Sequence, residues 1–165
     1  MIALDIQDVK TFMSKLLKHE MFDEFLMSEM DIATAQSIHI DGKMNKDWFT
    51  TEEEEALEGR TMAKWKEIKP IAYELIKGKR TPLAFKITFE LNREQLGKLI
   101  ENSKSSFSVN DVNGLFIHVR FTKNGLSIIT GSSIKVFTMD KSLEHYWDDT
   151  VKLMMKKYQI AYTEQ

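Results

Sequence analysis

A strand, then a helix, then a run of short strands: this pattern is legible twice in the chain, and nothing else in the sequence restricts the fold as much. The first copy spans residues 2–49 and opens on the apolar Ile2-Ala3-Leu4. Val9, Phe12, Met13, Leu16 and Leu17 then recur at the helical period. Asp5 or Asp8 is placed to cap that helix by accepting from its free amides. Thr11, Ser14, Lys15 and Lys18 fall on the opposite, wet face. Phe25 to Ile32, Ser37 to Ile40 and Lys43 to Phe49 read as three strands. Asp41-Gly42 between the last two is the grammar of a two-residue hairpin turn.

The second copy spans residues 83–138. Phe85, Ile87, Phe89 and Leu91 alternate with Lys86, Thr88 and Glu90, the period of a half-buried strand. Asn92, with Gln95 three residues on, starts a helix whose buried stripe is Leu96, Leu99 and Ile100. Leu115 to Thr122, Leu126 to Thr130 and Ile134 to Thr138 follow as strands. Asn124-Gly125 and Gly131-Ser132-Ser133 supply their turns. The connector, residues 50–82, holds the charge run Thr51-Glu52-Glu53-Glu54-Glu55, which reads as a solvated helix start or loop. It also holds a helix from Thr61 to Lys77 with an apolar stripe at Met62, Trp65, Ile68, Ala72, Leu75 and Ile76. Pro70 is expected to kink or divide that helix. A last helix over 140–158 is capped by Asp140 and carries Leu143, Trp147, Val151, Met154 and Met155 on one stripe. The pattern predicts a single α+β domain over residues 1–165, made of duplicated βαβββ units with a connector helix and a C-terminal helix. The predicted core is Phe12, Leu16, Phe85, Ile87, Phe89, Leu96, Leu99, Phe116 and Trp147.

Composition narrows the function classes. A chain of 165 residues, 42% hydrophobic and 29% charged, can bury a core without disulfides or metals. It has no cysteine, which removes disulfides, thiolate nucleophiles and cysteine-ligated metals together. Lys and Arg number 23 against 25 Asp and Glu, a formal net charge of -2, so any basic surface must be local. No apolar run approaches the roughly 18 residues of a membrane span. Met1-Ile2-Ala3-Leu4-Asp5 lacks the basic region of a signal peptide. These readings point to a cytoplasmic protein without membrane association.

The chemistry-bearing residues are few. His19, His39, His118 and His145 show no zinc-site spacing, so no metal is assigned. Gly78-Lys79-Arg80-Thr81 lacks the P-loop spacing, and Gly followed by Pro82 is helix-ending grammar. Its two adjacent cations can still take an anion. Thr130-Gly131-Ser132-Ser133 matches a nucleophile turn only in composition, since it lies between strands rather than before a helix. Asp148 and Asp149 diverge by roughly 100° on a helix and cannot work as a pair on one substrate.

The stretches His39-Ile40-Asp41-Gly42, Gly78-Lys79-Arg80-Thr81-Pro82-Leu83 and Thr130-Gly131-Ser132-Ser133 through Asp140-Lys141-Ser142-Leu143-Glu144 resemble those of an uncharacterised bacterial family, a domain of unknown function. The resemblance covers nearly the whole chain and implies no activity or site residue. The repeated strand–helix–three-strand unit is separately similar in topology to the building block of DNA sliding clamps. That similarity implies a non-enzymatic binding module acting with nucleic acid or with a replication or repair partner, and no cofactor.

On this reading Lys15 and Lys18 of the first helix and Arg93 and Lys98 of the second are the nucleic-acid-binding candidates. Lys79 and Arg80 are the anion-binding candidates. The rival expectation is a small-molecule or phosphate-ligand enzyme that uses Lys79 and Arg80 with polar groups such as His39 and His118. No residue is assigned a catalytic role.

Overall fold

The computed structural model describes residues 1–165 and is of the α+β class. Seven antiparallel strands form one sheet: β1 (Ala3–Ile6), β2 (Leu26–Ala33), β3 (Ser37–Asp41), β4 (Ala84–Glu90), β5 (Val112–Thr122), β6 (Gly125–Ile134) and β7 (Tyr162–Glu164). Their order across the sheet is β3-β2-β4-β5-β6-β1-β7. Five α-helices join them: α1 (Val9–Lys18), α2 (Thr51–Ala56), α3 (Trp65–Ile76), α4 (Arg93–Ser103) and α5 (Ser142–Lys157).

Three of the five helices start where the sequence offers an acceptor to free amides, whereas α3 and α5 have Lys64 and Lys141 at their N-caps and no side-chain cap, so Asp140 is not the cap of the last helix. Asp8 accepts from the Thr11 amide, Asn92 from the Gln95 amide, and Thr50 and Glu53 form a reciprocal capping box before α2. Ahead of α5, Asp140 accepts from the Ser142 amide.

Strand alternation sorts the sheet into two unlike faces. Met30 and Ile32, Phe85, Ile87 and Phe89, Leu115, Ile117 and Val119, Leu126 and Ile128, and Leu4 and Ile6 share one buried cluster with residues of α1, α3, α4 and α5. Their neighbours Asp31, Lys86, His118, Arg120, Ser127 and Asp5 point to the other face, which no helix covers. At the centre of the covered face, the Phe22 ring stacks on Phe89 with centroids 4.7 Å apart. Trp65 of α3 meets Phe89 edge-on at 5.2 Å, and its indole N–H donates to the Leu16 carbonyl of α1 at 2.9 Å. The Trp147 indole N–H of α5 donates to the Phe116 carbonyl at 3.1 Å. Both large side chains thus bury their rings without orphaning a donor.

The two segments expected to be copies are embedded differently. In the second, β4, β5 and β6 are consecutive neighbours; in the first, β1 lies beside β6 and β7, far from β2 and β3. Neither segment has its expected third strand, so the two equivalent βαβββ units are corrected to unlike βαββ segments. Ile134 to Thr138 is not a separate strand, because Gly131-Ser132-Ser133 is not a turn. Those residues continue β6 and pair with Phe116, Leu115 and Gly114. Gly131 serves close approach, since a Cβ there would lie 3.2 Å from His118 Nε2.

Lys43 to Phe49 makes one isolated bridge, Lys43 to Met62, and a 3₁₀ turn. Nor is Asp41-Gly42 a hairpin. Gly42 lies against the β2 bulge between Met27 and Glu29, where a Cβ would fall 1.6 Å from the Met27 carbonyl oxygen. The glycine answers a lack of space and not a turn. The connector helix starts at Trp65 instead of Thr61, because Met62 to Lys64 form bridges with Lys43 and Leu26. Pro70 lies inside α3 without dividing it. Of the predicted core, only Phe116 is misplaced: it sits half-buried on the open face, whereas the other eight are buried.

Phe89 is fully buried at the meeting point of three segments distant in sequence. Phe89→Ala is expected to destabilise the fold by about 3–5 kcal/mol, through lost transfer energy and the cavity left behind. Equilibrium denaturation of the variant against wild type reads this directly.

Candidate anion-binding site

Three connections meet at one end of the sheet. The β2–β3 turn (residues 34–36) and the β5–β6 turn (residues 123–124) lie there, as the pairings of Phe85 with both Ile32 and Phe121 require. The α3–β4 connection (residues 77–83) joins them, with the Leu83 amide donating to the Ala33 carbonyl at 2.9 Å. Gly78 in that connection has a φ of 134°, a conformation open to glycine, so α3 stops and the chain turns toward β4.

This end is rich in cations. Lys79 and Arg80 stand exposed in the α3–β4 connection, and Lys123 tips the β5–β6 turn. Lys86 and Arg120 are direct cross-strand neighbours on the open face. Lys86 approaches Glu29 at 3.8 Å. Lys79, Arg80, Arg120 and Lys123 form no ion pair. Between the strands at this end is a shallow cleft of about 580 Å³. Lys86, Arg120, Thr122 and Ser37 border it, and the small side chains of Ala33 and Ala84 leave its floor low.

Two histidines share the face in different electrostatic settings. His39 Nδ1 lies 2.7 Å from Asp31 Oδ1 at the rim of the cleft. The hydrogen bond to Asp31 raises the His39 pKa above that of a free imidazole. His118 is half-buried, beside Thr88 Oγ1 at 3.1 Å and stacked with Phe116. Burial depresses its pKa, with Lys86 and Arg120 acting in the same direction. Of the two, burial disfavours charge on His118, and Asp31 favours it on His39 at the rim.

The other sequence candidates are not brought together. α1 packs mainly beside α3, and α4 beside α5. Lys15 and Lys18 make no ion pair, but Lys98 is held by Glu94 at 2.7 Å. Arg93 Nη1 donates to the Val112 carbonyl at 3.3 Å. Arg93 and Lys98 line a cleft of about 600 Å³ that they share with Arg60, Lys64, Glu24 and Glu94. There Lys64 pairs with Glu24 at 2.7 Å, so the cleft is close to charge balance. Lys64 and Lys66 together hold the Glu24 carboxyl at a pKa of about 2.

Residues 15–163 match the model of a family of unknown function, DUF5721. The chain belongs to that family. No curated protein matches it, and no solved structure does. For this DUF5721 chain, site residues must therefore come from geometry. Sequence reading found Lys79 and Arg80 and missed Lys86, Arg120 and Lys123. The alternation of β4 puts Lys86 on its polar side, whereas Arg120 is not singled out in the strand Leu115 to Thr122. Their adjacency is a matter of register, which the alternation leaves open. No helix of the chain is long and apolar enough to cross a membrane.

The two histidines should titrate on opposite sides of the ordinary imidazole value of about 6.5. In an NMR pH titration His39 is expected above it and His118 below it. Asp31→Asn should lower the His39 midpoint and leave His118 in place. A raised folded-state pKa stabilises the fold at pH below the unfolded value and loses that effect as pH rises through the folded value. The Asp31–His39 pair therefore contributes in mild acid.

Proposed function

We propose that this protein is a non-enzymatic binding module that holds the sugar–phosphate backbone of nucleic acid at the cationic end of its sheet. The observation that carries this reading is the cationic character of this end of the sheet: Lys86 and Arg120 line the shallow cleft, and Lys79, Arg80 and Lys123 stand in the connections at the same strand ends, with no ion pair at Lys79, Arg80, Arg120 or Lys123. Phosphate contacts need positive charge at suitable spacing and no base-reading motif. An open cleft suits a polymer that passes across it, because nothing encloses a bound group. Arg120 can engage two phosphate oxygens with its planar guanidinium, whereas Lys79 and Lys123 act as mobile point charges. Asp31 lines the same cleft but is held by His39, and Glu29 lies further along the same face.

A second reading is an enzyme acting on a small phosphate ligand. It is favoured by the Asp31–His39 pair at the cleft rim, which leaves His39 Nε2 free to exchange a proton in a cleft that Lys86 and Arg120 also line. Turnover of a phosphate ester that is lost in His39→Gln would support it over the binding module.

Fluorescence anisotropy with a labelled duplex tests the first reading. Binding should weaken steeply between about 50 and 200 mM salt, with a log–log slope near -3 to -4 for about four phosphates neutralised. Lys79→Glu with Arg80→Glu should reduce affinity at least tenfold and flatten the slope by about 2. Lys15→Glu with Lys98→Glu should change affinity by less than about twofold, because those cations lie away from the cleft. Absence of binding at low salt, or equal losses in both double variants, contradicts the proposal.

A further inference from the structure

The two edges of the sheet are not alike. β7 has three residues, and its Glu164 side chain is tied to Lys152 at 2.9 Å. β3 has five residues, Ser37–Asp41, with no proline, bulge or lysine to discourage pairing.

Hydrogen bonding at both ends of β3 identifies its free groups. The Gly42 amide donates to the Ser28 carbonyl, and the Thr34 amide donates to the Gln36 carbonyl. In an antiparallel ladder, residues bonded toward the partner alternate with residues bonded away from it. Ile38 and Ile40, in step with Gln36 and Gly42, therefore bond toward β2. The N–H and C=O groups of Ser37, His39 and Asp41 face outward and have no strand beside them.

We infer that β3 pairs with β3 of a second copy of this chain, antiparallel about a two-fold axis that is normal to the sheet and passes between the two copies of His39. The sequence Ser37-Ile38-His39-Ile40-Asp41 is complementary to itself in that register. His39 faces the second copy's His39, and Ser37 faces its Asp41, as bonded pairs with about six inter-chain hydrogen bonds in all. Ile38 faces the second copy's Ile40 on the helix-covered side, where both are half-buried and would extend the apolar layer. No carboxylate meets a carboxylate. Each His39 keeps its own Asp31 at 2.7 Å, which offsets repulsion between the two imidazoles. The product is one continuous sheet with both open faces on the same side and both helical layers on the other.

Sedimentation equilibrium from about 10 to about 500 µM tests this, a range that resolves a dimer of micromolar affinity. Wild type should dimerise reversibly. Ser37→Asp sets a carboxylate against the second copy's Asp41 twice per dimer and should weaken association about tenfold; Ser37→Lys should tighten it by a similar factor. His39→Pro removes the central outward donor, which is unused within one chain, and should leave a folded monomer by circular dichroism. If His39→Pro fails to fold, the opposed shifts at the exposed Ser37 decide the matter. A wild type that stays monomeric throughout, or a dimer whose affinity none of the three variants moves, overturns the proposal.

Discussion

The stack of Phe22 on Phe89, closed edge-on by Trp65, is the contact on which the rest of the structure depends. It brings the α1–β2 connection, strand β4 and helix α3 to one point on one side of the sheet. The Trp65 indole adds α1 through the Leu16 carbonyl. Once those groups occupy one face, α4 and α5 complete the same layer with Leu96, Leu99, Trp147 and Val151. Most of the apolar burial that drives folding is then satisfied on that side. The opposite face stays open, and its side chains are free to follow function instead of packing.

Ion pairs occur on both sides of the sheet, and Lys15 and Lys18 of α1 have none. Among the helices and their connections, cations meet carboxylates at close range, as in Lys64 and Lys66 with Glu24, Lys69 with Asp23 and Lys98 with Glu94. On the open face a strand projects one side chain every second residue, and cross-strand neighbours are set by register. Arg120 thereby falls between Lys86 and Ser127 and finds no carboxylate. The unpaired Lys79, Arg80 and Lys123 sit in connections at the same end of the strands. Local positive charge can thus coexist with a net charge of -2.

The class of the fold was legible because β4 shows a clean alternation, and α1 and α4 each show a helical period and a capping residue. The embedding was not. The period of β1 and β2 says nothing of which strand lies beside which, and β1 finds β6 and β7 across most of the chain length. Glycine was the other source of error. At Gly42 and Gly131 the sequence reads as turns, yet Gly42 stands where backbone leaves no room for a Cβ, and Gly131 where a Cβ would press on the His118 ring. Sequence alone does not separate a glycine that serves conformation from one that serves proximity. The same limit applied to the site. Lys79 and Arg80 stood out as neighbours in sequence, whereas Arg120 and Lys86 become neighbours through strand pairing. Phe116 was misjudged for a related reason, since an aromatic residue in an alternating strand fits either face.

The central claim is that the open, cationic end of the sheet, and not the helical layer, meets nucleic acid. Mapping amide chemical-shift changes while duplex DNA is titrated into the labelled protein tests it most directly. The account predicts the largest changes at Lys79 to Leu83, at Lys86 and from Arg120 to Asn124, with α1 and α4 nearly silent. Changes concentrated on α1 and α4, around Lys15, Lys18, Arg93 and Lys98, would contradict it.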